Sequence, residues 1–220
     1  MPGQDDMSGT ELRRQLAETA RELGARGLNR GASGNSSVRC AKGFLITPSG
    51  VAAHLVTPES LVFVTMDGKA QGELKPSSEW RMHRDIYAAR ADAGAVIHTH
   101  SDNATALACL ERPIPPFHYM VAMAGGSLID CAPYARFGTA ELSEAMLKGL
   151  GSRRATLLAH HGMICYDQDL PAALALAEEV EGLARQYLLA CSAGRPKSLS
   201  DAQMAAVLKA FATYGQPQEA

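Results

Sequence analysis

Gly94-Ala95-Val96-Ile97-His98-Thr99-His100-Ser101-Asp102 is the stretch on which the reading of this chain turns. Residues 94–98 form a short apolar run, too brief for a globular helix, and read as a buried strand. Ser101 or Asp102 can cap a helix that follows and runs through Leu110. Residues i and i+2 of a strand project from one face, so the imidazoles of His98 and His100 can reach one metal ion.

Outward toward the N-terminus, Leu12, Leu16, Ala20 and Leu23 recur at helical spacing, which predicts an amphipathic helix from Glu11 to about Leu28, ended by Gly27 and Gly31. Residues 37–39, 44–46 and 61–64 read as strands between Gly-rich turns. Lys75-Pro76-Ser77-Ser78 opens a helix to about Ala91. On the other side, residues 111–138 are rich in Pro and Gly and predict irregular structure with one or two strands. A helix near 139–150 follows, then strands at 155–158 and 162–165. Ala173, Leu176, Ala177, Val180, Leu183, Ala184, Tyr187, Leu188 and Cys191 form one apolar helical stripe, with Glu181 and Arg185 as a favourable i,i+4 pair. Ser200 caps a final helix to about Ala212. No repeat or linker divides the chain. The expected fold is α/β: a single domain with a mixed central sheet flanked by helices.

Composition narrows the function. The chain has 220 residues, 46% apolar and 20% charged, which excludes disordered and fibrous classes. Lys+Arg number 21 and Asp+Glu 23, for a formal net charge of -2. No basic run tracks a nucleic-acid backbone or a membrane surface, so neither partner is expected. Any anionic ligand needs a local site. The five cysteines, Cys40, Cys109, Cys131, Cys165 and Cys191, form no C-x-x-C, so neither a disulfide framework nor a cysteine zinc site is expected. The N-terminal stretch lacks an apolar segment after a basic start, and no apolar run is long enough to span a bilayer. A cytoplasmic location is expected.

Four elements carry chemistry. To His98 and His100, His160-His161-Gly162 adds a third imidazole. Adjacent strand residues face opposite ways, so one of His160 and His161 joins the first two. Three histidines leave a coordination position open, the catalytic rather than the structural zinc pattern, and keep the ion's full charge for polarising a substrate. Ser77-Ser78-Glu79 stands at a helix start, where N–H groups and hydroxyls hold phosphate, although such triplets often serve only as caps. Gly31-Ala32-Ser33-Gly34-Asn35-Ser36-Ser37 and Thr47-Pro48-Ser49-Gly50 are small-residue loops that can donate to a phosphate or simply turn the chain. No Ser lies in G-x-S-x-G. His83 follows Glu79 by four residues outside any H-E-x-x-H and reads as structural.

Lys75-Pro76-Ser77-Ser78-Glu79-Trp80, His98-Thr99-His100, His118-Tyr119-Met120, Cys131-Ala132-Pro133-Tyr134, Phe137-Gly138-Thr139, His160-His161-Gly162 and Thr213-Tyr214-Gly215 stand in the order seen in zinc-dependent class II aldolases of the L-fuculose-1-phosphate aldolase type. The chain resembles that family from about Glu11 to Gly215. The resemblance implies a mixed sheet covered by helices on both faces, and a domain over residues 9–215. A flexible stretch at 1–8 precedes it and a tail at 216–220 follows. His98, His100 and His161 would bind one Zn²⁺, which settles the choice between His160 and His161. Glu79 would be the acid/base residue. Gly34, Asn35, Ser49, Gly50, Ser77 and Ser78 would hold the substrate phosphate. Tyr119 and Tyr214 would reach the site from a neighbouring subunit of a homotetramer with interface active sites.

The implied reaction cleaves a ketose 1-phosphate reversibly to dihydroxyacetone phosphate and a small aldehyde, with Zn²⁺ stabilising an enediolate as a Lewis acid. Two sister readings share the fold. A phosphopentulose 4-epimerase usually carries Asp after the Ser-Ser pair, where this chain has Glu79. A non-catalytic adducin-like scaffold lacks the histidine set. Ser36 and Ser49 stand where relatives often have Val and Thr, and residues 216–220 depart from the family pattern.

Overall fold

The strand expected around Val96 spans Ala95–Thr99 and is buried along its whole length near the middle of an eight-stranded sheet. The structure, a computed structural model, describes residues 5–211. In chain order, α1 (Asp5–Ala25) precedes β1 (Asn35–Cys40), β2 (Gly43–Ile46), β3 (Val62–Thr65) and β4 (Ala70–Gln71). Then come α2 (Trp80–Ala89), β5 (Ala95–Thr99), α3 (Asp102–Cys109), a 3-10 turn at Tyr119–Ala124 and β6 (Cys131–Ala132). The chain continues with α4 (Ala140–Leu150), β7 (Ala155–Leu158), β8 (Gly162–Asp167), α5 (Leu170–Ala193) and α6 (Asp201–Phe211).

The sheet order is β4-β3-β2-β1-β5-β8-β7-β6. Every pair is antiparallel except β6 with β7, so the sheet is mixed, as the short strands implied. Strand period 2 sorts the apolar residues between two cores. Val38, Leu45, Ala95, Ile97, Met163 and Cys165 pack toward α1, α3 and α5. Phe44, Ile46, Val62, Val64, Val96, Ile164 and Tyr166 pack toward α2 and α4. By the same alternation, His98 lies on the α2 side with Val96. Register sets Asn35 of β1 opposite His98, and Ile164 of β8 opposite it on the other edge.

Several boundaries differ from expectation. The first helix begins at Asp5, because its apolar stripe starts only at Leu12 and says nothing about the turns before it. It ends at Ala25, ahead of the left-handed Gly27. The expected Glu181–Arg185 pair is replaced by a longer-range contact. The Glu181 carboxylate accepts from the backbone N–H groups of Asn103 (2.9 Å) and Ala104 (2.9 Å) and from the Asn103 side chain (2.6 Å). It thereby caps α3, whose own Ser101 makes no capping bond. Open N–H groups at a helix start outcompete an exposed arginine for a carboxylate. Ser200 does cap α6, accepting from Gln203 N while Gln203 returns a bond to Ser200 N at 2.8 Å.

Two glycines make the packing testable. A Cβ on Gly162 would collide with the Thr99 carbonyl oxygen and press on the His100 ring, whereas one on Gly182 in α5 meets no atom within 4 Å. Gly162→Ala is expected to cost about 1–3 kcal/mol by overpacking. Gly182→Ala is expected to add about 0.5–1 kcal/mol through helix propensity. Denaturant unfolding of the two variants checks both signs.

Candidate active site

The three imidazoles come from two places in the fold. His98 sits on β5 with no exposed surface, and His100 lies one residue past its end. His161 belongs to the tight β7–β8 connection between Leu158 and Gly162. That turn decides between the adjacent histidines. His160 takes a left-handed backbone (φ 56°), which reverses the chain within three residues and swings its ring outward to Glu111 Oε1 at 3.0 Å. His161 turns inward. The expectation that the pair would diverge holds, although a turn and not strand alternation separates them.

The rings of His98, His100 and His161 stand nearly equidistant, with centroids 4.8, 4.8 and 4.9 Å apart and mutual tilts of 72°, 76° and 74°. His98 Nδ1 faces the Met163 carbonyl at 2.8 Å and can only donate to it. Nδ1 therefore carries a proton, and Nε2 is the nitrogen that faces the cluster. Glu79 closes the fourth side: Oε2 is 3.2 Å from His98 Nε2, and Oε1 is 3.0 Å from His161 Nε2. Glu79 occupies the position just before α2 but makes no capping bond, so its carboxylate is free to face the histidines.

This donor set fits a divalent cation. The four ligand atoms lie within 4.8 Å of one another. His98 Nε2 and His100 Nε2 approach to 3.0 Å. Glu79 Oε1 is buried without a well-directed hydrogen bond. Three converging ring nitrogens and an orphaned carboxylate oxygen call for a positive charge between them, and a three-nitrogen, one-oxygen set is one that transition metals accept.

Electrostatics agree. Burial alone would raise the Glu79 carboxyl, but the imidazoles of His98 and His161 outweigh it and hold the group well below the usual carboxylate range. His100 is pushed down to about 4, first by burial and then by its neighbours His98 and His161. It is therefore neutral near pH 7, as a ligand must be.

A cavity of about 340 Å³ opens beside this cluster. Gly34, Asn35, Ser49, Gly50, Ser77 and Ser78 all line it, together with Glu79, His100 and His161. The three small-residue segments are brought together by backbone pairing. Ser77 N donates to Thr47 O (3.1 Å), Ser49 N to Lys75 O (3.0 Å), and Thr47 N to Ser36 O (3.1 Å). Among the described residues, no Lys or Arg lines the cavity.

Tyr134 and Phe137 also line this cavity, and both are largely exposed. Composition could not single them out. The available signal was their place in the Cys131-Ala132-Pro133-Tyr134 and Phe137-Gly138-Thr139 motifs.

Tyr119 is elsewhere. It is half exposed, stacks on Phe211 with centroids 6.4 Å apart, and lines a separate cavity of about 380 Å³ with Met120, Met123 and Val207. Tyr214 lies outside the described residues.

The chain is similar to known proteins over most of its length. The family described as Class II Aldolase and Adducin N-terminal domain matches residues 14–188. The chain belongs to that class II aldolase family. It is 52% identical over 215 residues to a 5-methylthioribulose-1-phosphate/5-deoxyribulose-1-phosphate aldolase of Rhodospirillum rubrum, covering 98% of this chain and 96% of that one. It is 48% identical over 210 residues to an L-fuculose phosphate aldolase of Escherichia coli, covering 95% and 98%. A solved L-fuculose 1-phosphate aldolase superposes with a TM-score of 0.89 at 38% identity, over 92% of this chain and 96% of that one. The class II aldolase fold expected from the sequence is thus present, and these relatives are enzymes. No helix among the described residues is long and apolar enough to cross a membrane.

If His161 and not His160 completes the cluster, only one of two neighbouring substitutions should matter. His161→Ala is expected to weaken divalent-metal binding by about 100-fold or more, beyond the usual cost of losing a ligand's outer hydrogen-bond partner. His160→Ala should leave it unchanged. Competition against a chromogenic chelator measures both.

Proposed function

We propose that the protein is a metal-dependent aldolase that cleaves a ketose 1-phosphate to dihydroxyacetone phosphate and a small aldehyde. The single observation that carries this reading is one cavity with a three-histidine, one-glutamate cluster on one wall and three loops of small hydrogen-bond donors on another. His98, His100 and His161 would hold the ion, zinc by family resemblance. When bound, it supplies Lewis-acid polarisation of the substrate's carbonyl and hydroxyl oxygens.

The residues of the chain supply the rest. Ser49, Ser77 and Ser78 hydroxyls, with N–H groups at Gly34, Asn35 and Gly50, would bind the phosphate on C1 and fix the reacting carbons by remote binding energy. Cleavage breaks the C3–C4 bond. The C4 hydroxyl gives up its proton as the aldehyde forms, and C3 takes one up. Glu79 lies between the phosphate loops and the histidines, where it would deliver the proton to C3, and in synthesis remove it. Tyr119 and Tyr214, contributed by a neighbouring subunit, would serve the C4 oxygen. A homotetramer with active sites between subunits supplies that arrangement, since Tyr119 lies apart from the cavity within one chain.

L-Fuculose 1-phosphate, 5-deoxyribulose 1-phosphate and 5-methylthioribulose 1-phosphate are the substrates to try first, because relatives carry those names. Release of dihydroxyacetone phosphate from at least one is expected, and full chelation should abolish it. Undiminished turnover in metal-free protein would refute the mechanism. Glu79→Gln should keep zinc yet lose about 10²–10⁴ in kcat, the usual worth of positioned acid/base catalysis.

A further inference from the structure

Behind Glu79 a line of buried side chains runs into the protein. Asn35 Nδ2 donates to Glu79 Oε2 at 2.9 Å. Asn35 Oδ1 faces His83 Nε2 at 2.5 Å, and His83 Nδ1 faces Ser37 Oγ at 2.7 Å. Ser37 Oγ in turn meets the Tyr87 hydroxyl at 2.8 Å. His83 and Ser37 have no exposed surface, Tyr87 has 2%, Asn35 6% and Glu79 7%. The line follows from two periods. Asn35 and Ser37 are alternate residues of β1, about 6.7 Å apart at strand rise. Glu79, His83 and Tyr87 step four residues at a time along α2, about 6 Å per step. The two elements therefore run in step across the α2 face of the sheet.

The polarity of this line is determined at one end. A carboxylate can only accept, so the Asn35 amide must turn its NH₂ toward Glu79 and its oxygen toward His83. That oxygen also accepts, so His83 must carry its proton on Nε2. A neutral ring then accepts at Nδ1 from Ser37, and Ser37 accepts from Tyr87. Burial pushes His83 down to about 3, with His98 adding to the effect, so the ring is neutral at ordinary pH. An asparagine amide is nearly the same shape either way round, and its neighbours alone choose its direction. Without the His83 N–H, the reversed amide would set its oxygen against the Glu79 carboxylate.

We propose that His83 is a positioning residue for the reaction: by fixing the direction of the Asn35 amide, it holds Glu79 in the orientation needed for proton transfer. The sequence reading of His83 as structural is thereby extended. The inference rests on Glu79 being the acid/base residue. Asn35 also lines the cavity.

The test compares zinc-loaded His83→Leu, His83→Gln and Ser37→Ala with the wild type. L-fuculose 1-phosphate and 5-deoxyribulose 1-phosphate serve as probes. Glutamine can place an N–H near the position of the imidazole Nε2, and leucine cannot. His83→Leu is expected to lower kcat about 10- to 100-fold, the worth of one charge-assisted hydrogen bond. KM and zinc content should stay near wild type. His83→Gln should recover most of the loss, and Ser37→Ala should show a smaller loss of the same kind. Crystal structures should show the Asn35–Glu79 hydrogen bond broken in the leucine variant and intact in the glutamine variant, a readout independent of turnover.

Wild-type kcat in a folded His83→Leu protein would overturn the proposal, as would equal impairment of the folded leucine and glutamine variants. If the leucine variant does not fold, a wild-type kcat in Ser37→Ala overturns it instead. Near-normal turnover of Glu79→Gln would refute the acid/base reading itself and so separates the two failures.

Discussion

A carboxylate buried among three imidazoles is the constraint on which the rest of the structure depends. Glu79 is 7% exposed and keeps a negative charge in a place where isolated charges are costly. What offsets that cost is local: the rings of His98 and His161, and the Asn35 amide. Each must be held within hydrogen-bond reach, because a half-satisfied polar cluster is worse than an apolar core. The histidines then have to stay neutral enough to ligate while facing an anion, a conflict that a bound divalent cation removes.

The fold meets this demand with rigid elements more than with loops. His98 stands on a strand hydrogen-bonded on both edges, to β1 and to β8. Its outer nitrogen is tied to the Met163 carbonyl of β8, so ring orientation and strand pairing are fixed by the same neighbour. Glu79 sits at the start of α2, which is anchored from beneath by Met82, Ile86 and Tyr87 in the core. A drift of about 1 Å in either element would undo the cluster, and both are packed too tightly to drift.

How much of this was legible depends on sequence distance. His98 and His100 could be paired from strand period alone, since they stand at i and i+2 with only Thr99 between them. The small-residue loops could be named but not joined, because Thr47–Ser77 pairing spans a stretch with no local signal. His160 and His161 could not be told apart by residue chemistry, as the answer lies in a left-handed backbone angle at one of them. The Asn35–His83–Ser37–Tyr87 line was invisible for a different reason. Its contacts join β1 to α2 across 44 to 50 residues, and they exist only because a strand step and a helix step have nearly equal length. Glu181 makes the same point: its helix neighbour Arg185 was the local guess, and a helix start 78 residues away was the actual partner.

The net charge of -2 can now be set against the site. The cavity wall offers serines, glycines and an asparagine but, among the described residues, no Lys or Arg. A Lys or Arg there would compete with the histidine cluster for the Glu79 carboxylate and would draw it away from that cluster. Neutral donors avoid this. Hydroxyl and N–H groups hold a phosphate through directed bonds whose dipoles fall off faster with distance than a full charge does. The carboxylate is left to be tuned by the histidines and by Asn35. Confining strong positive charge to an ion at the histidine cluster would thus separate two tasks within one small cavity. In the proposed reaction, anion recognition would fall to the small-residue loops, and proton transfer to Glu79 with the buried polar line behind it.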